Sequence, residues 1–238
     1  MNGRTTRNKN GTNLSSEELE RAVWFDIEKR IADEEPALTG FLVDGQFTIV
    51  VHDPRLQIGA EYSNLVHQPA AEFYQNMVER CRVEKRLLIS YTKADFDFVI
   101  SSNPDLEEAM LDVYQKAKFT SYFRHQHPDL FAEMQTRLKT RHQNRRYRFQ
   151  TQRKENGEFK VGLKDMLKLE AVGYPDREKV GIGGSGKAIG KIRKRFEKSG
   201  NNVEALTTGE KRAWSNMRTY LKHDVIGLRH LTYWVNES

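Results

Sequence analysis

Two apolar runs, LTGFLV and QFTIVV, flank the dipeptide Asp44-Gly45. A two-residue hairpin turn needs positive φ at both central positions, and Asp-Gly is one of the few pairs that tolerates this, so the stretch commits the chain to a β-hairpin. Just upstream, AVWFDIE alternates: Val23, Phe25 and Ile27 point one way, and Trp24, Asp26 and Glu28 the other. Three antiparallel strands therefore open a sheet. The D-x-E spacing recurs at Asp33/Glu35, Asp105/Glu107 and Asp176/Glu178, but only the Asp26/Glu28 copy ends an apolar strand, where active sites are often built.

Further along, apolar side chains recur at helical spacing from Gln68 to Glu84, and RLLISYT then reads as a short buried strand. DLEEAMLDVYQKAK predicts an amphipathic helix opened by Asn103-Pro104. The stretches HPDLFAEMQTRLKTRHQNRR, GLKDMLKLEAVG, SGKAIGKIRKRFEKSG and TTGEKRAWSNMRTYLKHDVIGLRHLTYWV carry helical periodicity or caps. The expectation is one α/β domain over residues 21–238, a mixed sheet flanked by helices with a helix-rich C-terminal half. Before it, residues 1–20 read as a flexible basic arm without the apolar stretch of a secretory signal, ending in SSEELE, a serine cap followed by acids. No segment approaches the roughly 20 apolar residues that span a bilayer, so no membrane partner is expected. The single cysteine, Cys81, excludes an internal disulfide and a Cys-rich zinc site and fits the cytoplasm.

Near the C-terminus, helical spacing puts Ala213, Met217, Tyr220, Asp224, Leu228 and Leu231 on one stripe, with Gly227 beside it permitting close backbone approach. A carboxylate on an apolar stripe is protonated, paired with Lys or Arg, or bound to metal. Asp97 follows LLISY after a short polar turn, which brings it to the mouth of the sheet near Asp26 and Glu28; helix capping is the plainer role for Asp95 or Asp97. Several carboxylates gathered together suit hard Mg²⁺ or Mn²⁺. Two such ions about 3.5–4 Å apart activate a water and stabilise the leaving oxygen in phosphodiester cleavage.

FDIE, then ISYTKADFD, then YLKHD resembles the DEDD superfamily of 3′-5′ exonucleases, and the tyrosine four residues before the last aspartate is similar to its DEDDy branch. The histidine branch would place His where Thr219 stands. The order HPDL, GLKDMLKLEAVGYP, a glycine-rich turn and a final helix is similar to the YprB-like group of RNase H-like nucleases, over roughly residues 21–236. The resemblance implies an RNase H-like fold with Asp26, Glu28, Asp97 and Asp224 as ligands of two Mg²⁺ or Mn²⁺ ions and Tyr220 as the residue that positions water. It implies a 3′-5′ exonuclease acting on DNA or RNA, single-stranded or at a 3′ end. Lys29 stands where the family often has threonine, and Thr92 where it commonly has asparagine. A nucleic-acid-binding module without turnover and a structure-selective endonuclease are the alternatives.

Charge agrees with a polyanionic partner: 39 Lys+Arg against 33 Asp+Glu give a net +6. The excess concentrates at about 121–160, where Arg141, Arg145, Arg146 and Arg148 surround Tyr147, a mixture suited to phosphate contact and base stacking. Gly181, Gly186 and Lys187 imitate a phosphate-binding loop, but Ala188 occupies the place of its metal-binding Ser/Thr and no buried strand precedes it. Lys187 is therefore expected to touch a substrate phosphate rather than a nucleotide triphosphate.

Overall fold

The computed structural model describes residues 14–29, 33, 35–117, 119–144, 151–181, 185–200 and 202–237, with the side chains of 185–187 outside that description. Helix α1 (Ser16–Arg21) starts on a full capping box between Ser15 and Glu18. It lies inside the span read as a flexible arm, and Leu19 anchors it in the core. Strand β1 (Val23–Glu28) then runs antiparallel to β2 (Leu38–Val43), which pairs in turn with β3 (Gln46–Val51). The turn between β2 and β3 has φ 50° at Asp44 and 77° at Gly45, as the Asp-Gly pair predicts.

After α2 (Gln57–Tyr62) and the two-residue strand β4 (Val66–His67) comes α3 (Ala70–Val83), followed by β5 (Leu88–Ser90). Helix α4 (Lys93–Ser102) leads to α5 (Glu107–Val113) and β6 (Tyr114–Lys116). Here the expected helix stops short. Tyr114 switches to extended backbone to pair with Leu88, and its hydroxyl donates to Thr92 O at 2.9 Å. Helices α6 (Phe119–Gln126), α7 (Pro128–Gln143), α8 (Leu163–Leu167), α9 (Ser185–Lys198) and α10 (Thr208–Glu237) follow.

The six strands form one mixed sheet in the order β4-β3-β2-β1-β5-β6, with β5 parallel to β1. Strand β1 is central and covered on both faces. Val23, Phe25 and Ile27 pack with Phe73, Tyr74, Met77 and Val78 of α3 and Val99 of α4. Trp24 on the other face joins Val225, Leu228 and Leu231 of α10 and Leu163, Met166 and Leu167 of α8. A third cluster joins Leu38 and Ile49 of the sheet to Ile189, Ile192 and Phe196 of α9 and Trp214, Met217 and Leu221 of α10. Asp26, Glu28 and Asp224 fall where these last two clusters meet. Among the described residues, no helix is long and apolar enough to cross a membrane.

Candidate metal centre

Asp26 and Glu28 stand on the α10 face because β1 keeps its period of two to its last residue. In register opposite Asp26 is Gly40, where an added Cβ would lie 2.6 Å from Leu221 Cγ. The missing side chain lets α10 settle onto the sheet, and Asp224, less than one turn beyond Leu221, is thereby lowered beside Asp26. One carboxylate oxygen from each of Asp26, Glu28 and Asp224 lies within 4.8 Å of the others.

Electrostatics mark the group as strained when it holds no cation. Burial first, then the charges of Asp95, Asp224 and Glu28, push the Asp26 carboxyl well above the usual carboxylate range, with Lys164 opposing. Burial likewise raises Asp224, against the pull of Lys164. Lys164 Nζ is 2.9 Å from Asp224 Oδ2. Asp224 Oδ1 is buried and has no hydrogen-bond partner among the described residues. An all-oxygen donor set with an orphaned buried carboxylate oxygen fits a hard divalent cation, which would supply the charge that the acids lack.

Asp97 does not join this group. Helix α4 begins at Lys93, capped by Thr92, so Asp97 lies a turn inside the helix, 55% exposed and 3.4 Å from Lys93 Nζ. Asp95 faces inward instead. Its Oδ2 accepts from Thr92 Oγ1 at 2.8 Å and from Thr92 N at 3.2 Å, closing a capping box. Burial raises its pKa to about 6, with these hydrogen bonds opposing, and its charge reaches Asp26. The capping role weighed from the sequence thus falls to Asp95, which is also the fourth carboxylate at the site.

Tyr220 is half-buried one helical turn before Asp224. Lys164 Nζ donates to its hydroxyl and sits 3.5 Å from the ring centroid. Lys164 escaped the sequence reading because it is a lysine on a five-residue helix, far along the chain from each acid. Its helix is fixed from three sides: Gly162 N donates to Asp165 Oδ2 at 3.0 Å, Arg141 Nη1 pairs with Asp165 Oδ1 at 2.9 Å, and Leu167 lies against the bare backbone of Gly227. Arg141, expected to meet nucleic acid, is thus engaged within the protein. Arg145, Arg146, Tyr147 and Arg148 lie outside the described residues, as does the side chain of Lys187. Lys29 extends over the Phe98 ring, its Nζ 4.2 Å from the centroid.

Beside Thr92 a groove of about 560 Å³ opens, lined by Tyr91, Lys93, Lys116, Lys154 and Lys160. Thr92, which bonds to Asp95, lines the same groove. No family model, curated protein or solved structure matches the chain.

Proposed function

We propose that the chain is a divalent-metal-dependent nuclease that hydrolyses phosphodiester bonds, removing nucleotides from the 3′ end of DNA or RNA. The observation that carries this reading is the convergence of Asp26, Glu28 and Asp224 from two distant segments, with Asp224 Oδ1 left without a partner among the described residues. An RNase H-like assignment is supported by the sheet, whose central parallel pair β1 and β5 is extended on the β1 side by the antiparallel β2. The acids at the end of β1 and the final helix crossing it agree with the same assignment.

Asp26, Glu28 and Asp224 would hold Mg²⁺ or Mn²⁺, with Asp95 adding negative charge nearby. A bound divalent ion supplies Lewis acidity and lowers the cost of making hydroxide from water at neutral pH. In the reaction a water oxygen forms a bond to phosphorus and the bond from phosphorus to the 3′ oxygen breaks. The water gives up a proton, and the departing 3′ oxygen takes one up. Tyr220 accepts a hydrogen bond from Lys164, which leaves its own O–H free to donate to the attacking water. The groove with Lys93, Lys116, Lys154 and Lys160 offers phosphate contacts.

One observation favours a second reading. Asp97 is turned to Lys93 on the surface, so a scaffold that binds nucleic acid without cutting it is the alternative. A single-stranded oligonucleotide labelled at its 5′ end and incubated with Mg²⁺, Mn²⁺ or EDTA separates the cases. A ladder that appears only with metal is the expected result. Discrete internal cuts would make the chain an endonuclease, and binding without any cleavage would leave the scaffold.

A further inference from the structure

We propose that Lys164 serves as the second cation of this site, so that the chain binds one divalent ion and uses a lysine ammonium where the two-ion scheme has its other metal. The inference rests on the nuclease reading above. It begins with ligand supply. Asp26, Glu28 and Asp224 can each direct one oxygen to a common point, which accounts for one ion. A second ion about 3.5–4 Å away would need further anionic oxygens of its own. Asp97, the residue expected to provide them, is 55% exposed and paired with Lys93. Asp95 stands outside the three converging oxygens, with Oδ2 accepting from the Thr92 amide and hydroxyl and with Ser90 and the Ile27 backbone also bonded to its carboxyl.

Asp224 divides its two oxygens accordingly. Oδ2 meets Lys164 at 2.9 Å, and Oδ1 is buried and unpartnered among the described residues. Its placement distinguishes Lys164 from a surface lysine that has drifted toward an acid. The side chain is only 20% exposed, and its helix is held by the Arg141–Asp165 pair, the Gly162 cap and the Leu167–Gly227 contact. An ammonium has three N–H donors, of which Asp224 and Tyr220 take two. The third is available to a non-bridging phosphate oxygen. No bond to Lys164 forms or breaks as the water–phosphorus bond forms and the bond to the 3′ oxygen breaks. The fixed ammonium charge offsets the negative charge gathering on the phosphoryl group. The same ammonium holds the Tyr220 hydroxyl, so charge compensation and water positioning are joined in one side chain.

The test is metal stoichiometry. Mn²⁺ titrated into the full chain at neutral pH, with free ion followed by electron paramagnetic resonance, is expected to saturate at one ion per chain. Lys164→Met should keep that stoichiometry and bind Mn²⁺ at least about tenfold more tightly, because a like charge near the ion is gone. At saturating Mn²⁺ the variant should cut a labelled oligonucleotide about 10²-fold more slowly, with Lys164→Arg recovering part of the rate. Two ions per wild-type chain, which needs no variant to measure, would overturn the role of Lys164 and leave the nuclease reading standing. So would a Lys164→Met protein that binds Mn²⁺ and cuts as the wild type does. A wild-type chain that binds no Mn²⁺ and cuts nothing would remove the nuclease reading, and the inference with it.

Discussion

At the end of β3, Arg193 of α9 meets Asp33 at 2.6 Å and also pairs with Asp53, while Arg55 closes on Asp53 from outside at 2.9 Å. Beneath α10, Asp26 feels the charges of Asp95, Asp224 and Glu28 with Lys164 opposing them. Both regions bury charge under a C-terminal helix. In the first, two guanidinium groups answer two carboxylates, and the planar fork of Arg193 reaches both acids at once. In the second, negative charge is in excess: the carboxylates of Asp26, Glu28, Asp95 and Asp224 face the ammonium of Lys164. The balanced group ties α9 to the sheet. The unbalanced one raises its own carboxyl pKa values, an expense that stability alone gives no reason to keep.

Exchanging one acid for its amide in each region should produce opposite results. Asp224→Asn is expected to lower cleavage by on the order of 10³-fold or more while the protein stays folded, because one metal-binding oxygen is lost and a like-charge contact with Asp26 is relieved. Asp53→Asn should leave Mn²⁺ binding and the rate per folded molecule unchanged. Parallel measurement of oligonucleotide cleavage and urea unfolding checks both, and an active Asp224→Asn protein would end the site assignment.

For stability the order reverses. Arg193→Met leaves Asp33 and Asp53 without their shared partner, and breaking a buried pair in this way typically costs about 3–5 kcal/mol. With Mn²⁺ bound, Lys164→Met should cost much less, since the divalent ion compensates the carboxylates that Lys164 opposed. Urea midpoints in Mn²⁺ would show this, and equal losses for the two variants would dissolve the distinction between the regions.

The sequence revealed more of the site's acids than of its cation. Asp26 and Glu28 were legible because period-two alternation on one strand fixes which side chains share a face. Asp224 was legible because a carboxylate on an apolar helical stripe demands an explanation. Asp97 was placed at the sheet mouth by carrying the line of β5 through a polar turn. The chain instead enters α4 at Lys93, and in a helix capped by Thr92 the third residue, Asp95, is the one that folds back. Strand β6 was hidden inside a helical pattern, since Tyr114–Lys116 becomes extended only by pairing with β5. Lys164 gave no signal of its own: its place depends on the adjoining Gly162 cap and on Arg141 and Gly227, two contacts from separate parts of the chain.

A divalent ion should act on one region only. At about one hundred times its dissociation constant, bound Mn²⁺ is expected to stabilise the fold by about 2.7 kcal/mol. In a chain of this size that corresponds to a rise in Tm of several degrees, at about 2–4 °C per kcal/mol. Arg193→Met should show the same rise from a lower starting point, and Asp224→Asn little or none. A rise that survives in Asp224→Asn would mean that the ion binds elsewhere.

The smallest effect is one of pH, and it separates the regions by sign. His52 adjoins Asp53 in sequence, with its ring between Thr39 Oγ1 at 2.9 Å and Gln68 O at 2.8 Å, and burial lowers its pKa to about 4. A histidine kept neutral in the fold contributes stability that is fully present above the unfolded value of 6.5 and is lost as pH falls toward 4. At pH 5.5 that loss is about 1.4 kcal/mol. Asp95, pushed up to about 6, runs the other way: its protonated form suits the fold, so its contribution returns as pH falls through that value. The two slopes oppose each other in the wild type and can be separated by removing one. His52→Gln can still bond to both neighbours but cannot take up a proton. Relative to wild type, its unfolding free energy should therefore improve by about 1.4 kcal/mol on going from pH 7.5 to pH 5.5. Urea unfolding of both proteins at the two pH values, in EDTA, measures the difference, and a zero difference would show that the His52 ring already takes up its proton in the folded chain.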